Sequence, residues 1–106
     1  MSRKRIFISG PYSADLKYKI WDNIAAAEKV GRRLAKAGYD VIIPHSMYQS
    51  FDDADYDMIL AMCIRMIESG FIDIVYVLKG YETSSGSLKE IATAQACDVE
   101  VLYEEA

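Results

Sequence analysis

Four short apolar runs, each separated from the next by a stretch of helical period, constrain this chain more than any other feature. They are residues 5–9 (RIFIS), 39–43 (YDVII), 72–78 (IDIVYVL) and 100–103 (EVLY). The third is nearly continuous in Ile, Val, Tyr and Leu, as strands covered on both faces tend to be. In residues 20–37 the apolar positions Ile20, Ile24, Ala27, Val30, Leu34 and Ala37 recur at steps of three and four, which makes one buried stripe on a helix. Gly38 follows where a C′ glycine belongs. Residues 56–69 place Ile59, Met62, Cys63, Met66 and Ile67 on one helical face, with Gly70 after them. A third helical pattern runs from about residue 87 to 97, with Leu88, Ile91, Ala92 and Ala96 expected in the core and Ala94 near them.

The order β-α-β-α-β-α-β with short connections implies a parallel sheet wound with right-handed crossovers. The expected fold is an α/β, single-domain, three-layer sandwich of about four to five parallel strands, flavodoxin- or Rossmann-like. At 106 residues the chain has room for one core, so residues 1–106 are read as one domain.

Composition narrows the function classes. A net charge of −4 argues against a nucleic-acid backbone as the main ligand, which calls for clustered Lys and Arg. Arg3, Lys4 and Arg5 form the one basic cluster, read as a solvated N-terminal tail. Cys63 and Cys97 lack a CxxC spacing, so neither a disulfide framework nor a zinc site is indicated. No run approaches the roughly 18 apolar residues of a membrane span, and Ile6 to Ile8 is too brief for a signal-peptide core. The expectation is a cytoplasmic protein with reduced thiols, no membrane partner, and no metal or cofactor.

In parallel sheets ligands bind at the C-terminal edge of the strands, beside the switch in strand order. Three loops therefore matter: residues 10–15, 44–53 and 79–86. In the first, SGPYS, Gly10 and Pro11 either let the backbone approach a ligand closely or form an ordinary turn; neither GxxxxGK[ST] nor GxGxxG is present. Tyr12 is a candidate to stack on a base or donate its hydroxyl, or else packs on its own loop. The second loop holds the one histidine, His45, placed for ligand contact or for a structural hydrogen bond. A lone His without partners at metal spacing is a poor zinc candidate. Asp52, Asp53 and Asp55 form an acidic patch suited to a helix N-terminus.

The third loop, GYETSSGSLKE, carries Thr83, Ser84, Ser85 and Ser87 around Gly86, the form of a phosphate cradle at a helix start. Ser87-x-x-Glu90 also fits a capping box, with Ser87 accepting from the Glu90 amide and Glu90 reaching back. Glu90 is thus read either as a capping carboxylate or as a reactive one in the first helical turn.

Taken together these residues resemble the nucleoside 2-deoxyribosyltransferase-like superfamily, in particular its small phage and bacterial members. The resemblance spans almost the whole chain, through IFISGPYS, Asn23, LAKAGYDVIIPH, IDIVYVLKGYETSSGSLKE and ATAQA. Such proteins often show Gly-Trp-Glu-x-Ser-x-Gly-Ala-x-x-Glu; here Tyr81 replaces the Trp and Ser87 the Ala, while Gly80, Glu82, Ser84, Gly86 and Glu90 match. The resemblance implies cleavage of an N-glycosidic bond, with Glu90 attacking C1′ to form a glycosyl-enzyme intermediate that water or a second base resolves. Ser84 stands where the nucleotide-hydrolysing branch holds a 5′-phosphate-binding serine, which favours 5′-monophosphates. The family's leaving-group aspartate, on the second long helix, falls at Cys63 in one register and at Arg65 in another. Neither is a carboxylic acid; Asp57, Asp52 to Asp55, His45 or Tyr12 are the substitutes in reach.

The leading expectation is therefore a nucleoside or nucleotide N-glycosidase or deoxyribosyltransferase, with Gly10, Pro11, Tyr12, His45, Ser84, Gly86 and Ser87 binding substrate. Tyr12 and Asp57 are secondary catalytic candidates beside Glu90. Alternatives are a non-catalytic nucleotide-binding module and a small structural or interaction protein. Family resemblance also implies a homodimer or larger homo-oligomer. Met47, Tyr48, Phe51 and Met58 would supply an apolar patch for it, or else pack into the core.

Overall fold

A computed structural model describes residues 3–12, 17–52 and 55–105, with side chains at 17 and 18 left out. The strands are β1 (Arg5–Ser9), β2 (Asp40–Ile42), β3 (Ile74–Val77) and β4 (Glu100–Tyr103). The helices are α1 (Lys17–Lys36), α2 (Pro44–Met47), α3 (Tyr56–Glu68) and α4 (Ser85–Ala96). All three strand pairings are parallel, in the order β2-β1-β3-β4. The α/β architecture and the parallel sheet expected from the sequence are present, with four strands.

Strand alternation sorts side chains to the two faces of the sheet. Phe7, Val75 and Val77 meet Cys63 and Ile67 of α3 and Ile91 and Ala94 of α4 on one face. Ile8 and Leu78 meet Ala27 and Val30 of α1 on the other. Within the α1 stripe Ile24, Ala27 and Val30 are buried, whereas Ala37 lies past the helix end and is exposed. Gly38 and Gly70 take left-handed φ values of 112° and 83°, as their places after helix ends require.

Three expectations need correction, and one left open is divided between its two readings. The loop after β2 contains α2, a single turn with Pro44 at its first position, where a fixed φ and a missing N–H cost nothing. On α4 the buried side is Ser87, Glu90, Ile91 and Ala94, at steps of three and four, while Leu88 is 46% exposed and Ala92 and Ala96 also face out. The reason is that α4 begins two residues earlier than the apolar pattern indicates, and its inner face is built partly of polar side chains. The basic cluster is not a loose tail. Arg3 Nε lies 2.7 Å from Asp40 Oδ1, and its Nη2 donates to the Tyr39 carbonyl at 2.7 Å. The Arg5 amide donates to Asp73 Oδ2 at 2.7 Å while its guanidinium lies over the Phe71 ring. These contacts tie the N-terminal ends of β1, β2 and β3 together, which leaves the opposite edge of the sheet to open outward. Finally, Tyr48 is half-buried and packs against the α3–α4 core, whereas Met47, Phe51 and Met58 are exposed.

Candidate active site

Strand order reverses direction between β1 and β3: α1 leaves β1 toward one face, and the chain after β3 leaves toward the other. A cleft of about 500 Å³ opens at this point on the C-terminal edge. Gly10 to Tyr12 form one wall, Pro44, His45 and Tyr48 a second, and Tyr56, Ile59, Leu60 and Cys63 of α3 a third. Thr83 to Ser87 and Glu90 complete it.

Glu90 sits at the inner end, 8% exposed, and its Oε1 accepts a hydrogen bond from Ser9 Oγ at 2.6 Å. The local reason lies in how α4 starts. Ser84 is extended (φ −106°, ψ 107°), and its Oγ accepts from the Ser87 amide at 3.2 Å, so Ser84 is the N-cap. The Ser87–Glu90 capping box is therefore absent: with Ser84 as N-cap, Glu90 falls in the second turn rather than the first. At that position it shares the inward face with Ser87, and its carboxyl meets the end of β1 instead of its own helix N-terminus.

Burial in this setting disfavours the charged carboxylate and pushes Glu90 up from 4.5 to about 7. The hydroxyl of Ser9 and the thiol of Cys63 both hydrogen-bond the carboxyl and pull the other way, but they are neutral and do not offset the desolvation. Cys63 is itself pushed up to about 12, first by burial and then by the neighbouring Glu90. Its thiol is a hydrogen-bond donor here, not a thiolate. Arg65 is exposed on α3, so of the two registers for the family's aspartate, Cys63 is the one that faces Glu90.

His45, on α2, is 4% exposed, and its Nε2 donates to the Pro11 carbonyl at 3.1 Å. Burial lowers its pKa below 6.5 despite the Pro11 and Gly10 carbonyls, so the ring is neutral at pH 7. Nδ1 then carries a lone pair with no partner among the described residues. The structural hydrogen bond is present and fixes the first loop, and the ring also lines the cleft. The Tyr12 ring packs edge-on against it at 5.9 Å, and the Tyr12 carbonyl accepts from Asn23 Nδ2 at 3.1 Å.

Two glycines are explained by neighbours. A Cβ on Gly10 would stand 2.7 Å from Leu78 Cδ1, so packing against the residue after β3 is itself enough to demand glycine there. A Cβ on Gly86 would collide with the Tyr56 hydroxyl, which brings α3 against the start of α4. Ser87 Oγ is buried without a hydrogen-bond partner among the described residues, on the cleft wall beside Glu90.

Of the residues singled out in the sequence, Gly10, Pro11, Tyr12, His45, Ser84, Gly86, Ser87 and Glu90 all border this cleft. Asp57 does not: it is exposed on α3 and takes no part in the cleft wall, because its position lies on the outer side of that helix. Asp52 is at the cleft, Asp55 is half-buried at the start of α3, and Asp53 and residues 13–16 lie outside the described residues. Sequence reasoning missed Ser9 and Tyr56. A signal for Ser9 exists: after the apolar run Ile6 to Ile8 a polar side chain closes the strand at its C-terminal end, on the same face as Phe7.

No curated protein matches the chain. Residues 4–103 match a family described only as a domain of unknown function (DUF4406), a description that carries no activity. The match spans nearly the whole chain, strands, helices and cleft included, and on it the protein belongs to the DUF4406 family.

Proposed function

We propose that this protein cleaves the N-glycosidic bond of a nucleoside or nucleoside 5′-monophosphate, with Glu90 as the nucleophile. The observation that carries the reading is a buried carboxyl, aimed by Ser9, at the inner end of a strand-edge cleft. Its volume of about 500 Å³ lies within the roughly 300–1,000 Å³ of small-ligand pockets. A desolvated carboxylate is matched to an oxocarbenium-like C1′, because the developing positive charge replaces the water that burial removed.

In the first step a Glu90 oxygen forms a bond to C1′ as the C1′–N bond breaks. The electron pair leaves with the base, which gains a proton from solvent or a cleft donor. In the second step a water oxygen, or a ring nitrogen of another base, attacks C1′ from the opposite side. The C1′–O bond to Glu90 breaks, the attacking atom loses its proton, and the carboxylate is restored. Ser9 and Cys63 hydrogen-bond the carboxyl and hold it in the cleft. The Ser84–Ser87 segment at the α4 N-terminus suits a 5′-phosphate.

The test is incubation with a panel of nucleosides, deoxynucleosides and their 5′-monophosphates, with chromatography for released base. Glu90→Gln should lower release roughly 10³-fold or more. Undiminished release by that variant would sink the assignment. A second reading is a nucleotide-binding module without turnover, and Cys63 favours it: a thiol stands where a leaving-group acid would face Glu90. It predicts that nucleotides raise the melting temperature while no free base accumulates.

A further inference from the structure

A second concavity, of about 450 Å³, lies on the α1 face of the sheet, on the other side of Pro11 from the cleft. Its apolar floor is Val30 and Leu78, both buried. Around that floor stand three cations from two separate elements: Lys29 and Arg33, four residues apart on α1, and Lys79, just past β3.

Three points mark this groove as more than a scatter of surface lysines. The chain is acidic overall, at −4, yet the groove gathers three of its 12 Lys and Arg with one carboxylate, Glu104. That carboxylate is engaged by the backbone, its Oε1 accepting from the Lys79 amide at 3.0 Å. Ion pairs among the described residues involve Arg3 and Arg5 only, so among those residues no carboxylate lies within ion-pair distance of Lys29, Arg33 or Lys79. Arg33 is held in place by a neutral partner, with Nη2 donating to the Tyr76 hydroxyl at 2.9 Å, which orients the guanidinium. The main cleft, by contrast, has no Lys or Arg among its described lining residues and contains Glu90 and Asp52.

We propose that this groove is a separate binding site for a small phosphorylated anion. Converging ammonium and guanidinium groups from α1 and the β3 end recognise phosphate oxygens through charge-assisted hydrogen bonds, the guanidinium offering a bidentate face. Asn23 supplies a neutral amide at the rim. Charge distinguishes the two concavities: three cations line the groove, whereas the carboxyl groups of Glu90 and Asp52 line the cleft. Pro11 lines both, and Asn23 borders the groove while holding the Tyr12 carbonyl, so the anion sits against the wall of the candidate active site.

The experiment is a backbone-amide NMR titration of the full chain with sodium pyrophosphate, against sodium chloride at matched ionic strength. Saturable shifts are expected at residues 23–33 and 79, with half-saturation below about 1 mM. The Lys29→Ala/Lys79→Ala double variant, altered only at exposed positions, should weaken binding at least about tenfold. Parallel titrations with inorganic phosphate and adenosine 5′-monophosphate separate two sources of the same chemistry. Equal affinity, read from the shifts at residues 29, 33 and 79, points to free phosphate, and tighter nucleotide binding read at those same residues points to a nucleotide. The proposal is overturned by a linear drift like that of chloride, by saturation confined to residues 84–87, or by unchanged affinity in the double variant.

Discussion

At the scale of single residues, Glu90 links stability to pH as well as structure to chemistry. Its carboxyl is raised from 4.5 to about 7 in the folded protein, chiefly by burial. Below pH 4.5 both folded and unfolded chains carry the proton, and the site costs nothing. As pH rises toward 7 the unfolded chain releases the proton first, so stability falls. Above that window the ionised, buried carboxylate costs on the order of 3 kcal/mol. Glu90→Gln, which can still accept from Ser9, should therefore match the wild type at pH 4 and exceed it by about that amount at pH 8; chemical denaturation at the two pH values measures it. If Glu90 is the nucleophile, kcat/KM should rise with pH through about 7 and then level, because only the ionised form attacks. A gain in stability on removing the carboxyl, with loss of activity, is the pattern of a group held for chemistry rather than for folding.

At the scale of elements, the start of α4 decides where Glu90 points. Ser84 caps the helix, and the inward face then runs through Ser87, Glu90, Ile91 and Ala94. Ser84→Ala removes an N-cap and should destabilise the protein by about 1 kcal/mol with no ligand present. Thermal unfolding of the unliganded variant checks this, and an unchanged melting temperature would show that the cap contributes nothing. The same substitution is expected to weaken binding of a 5′-monophosphate more than that of the corresponding nucleoside, if Ser84 meets the phosphate. The sequence pointed to this loop but misplaced its cap, since Ser84-x-x-Ser87 and Ser87-x-x-Glu90 are both plausible starts in one dimension. What separates them is the backbone at Ser84, extended with its Oγ accepting from the Ser87 amide; the Tyr56 hydroxyl of α3 lies where a side chain at position 86 would go, against the first turn of α4. That contact joins residues far apart in the chain and leaves no local pattern to read.

At the scale of the whole molecule, one edge of the sheet is laced shut by Arg3–Asp40 and Arg5–Asp73, and the other opens into two concavities of opposite character on either side of Pro11. Met47, Phe51 and Met58 remain exposed on α2, the turn after it and α3, the elements that border the cleft. Self-association through this region is the expected outcome, since it would cover apolar surface beside the cleft mouth. Sedimentation at micromolar concentration measures it; a monomer throughout, or a dimer indifferent to Met47→Lys and Met58→Lys, rules the region out. The alternation of apolar runs and helical stripes determined the α/β class and the parallel winding, because period and connection length are properties a chain carries locally. The same pattern placed Gly10 to Tyr12, His45 and Ser84 to Glu90 at one edge before any contact was known. Only the tertiary structure decided that Ser9 and Cys63 hold the Glu90 carboxyl, that Asp57 faces away, and that Lys29, Arg33 and Lys79 share a groove. Each of these depends on where separate elements cross, and burial, which sets the charge of Glu90, exists only once they have packed.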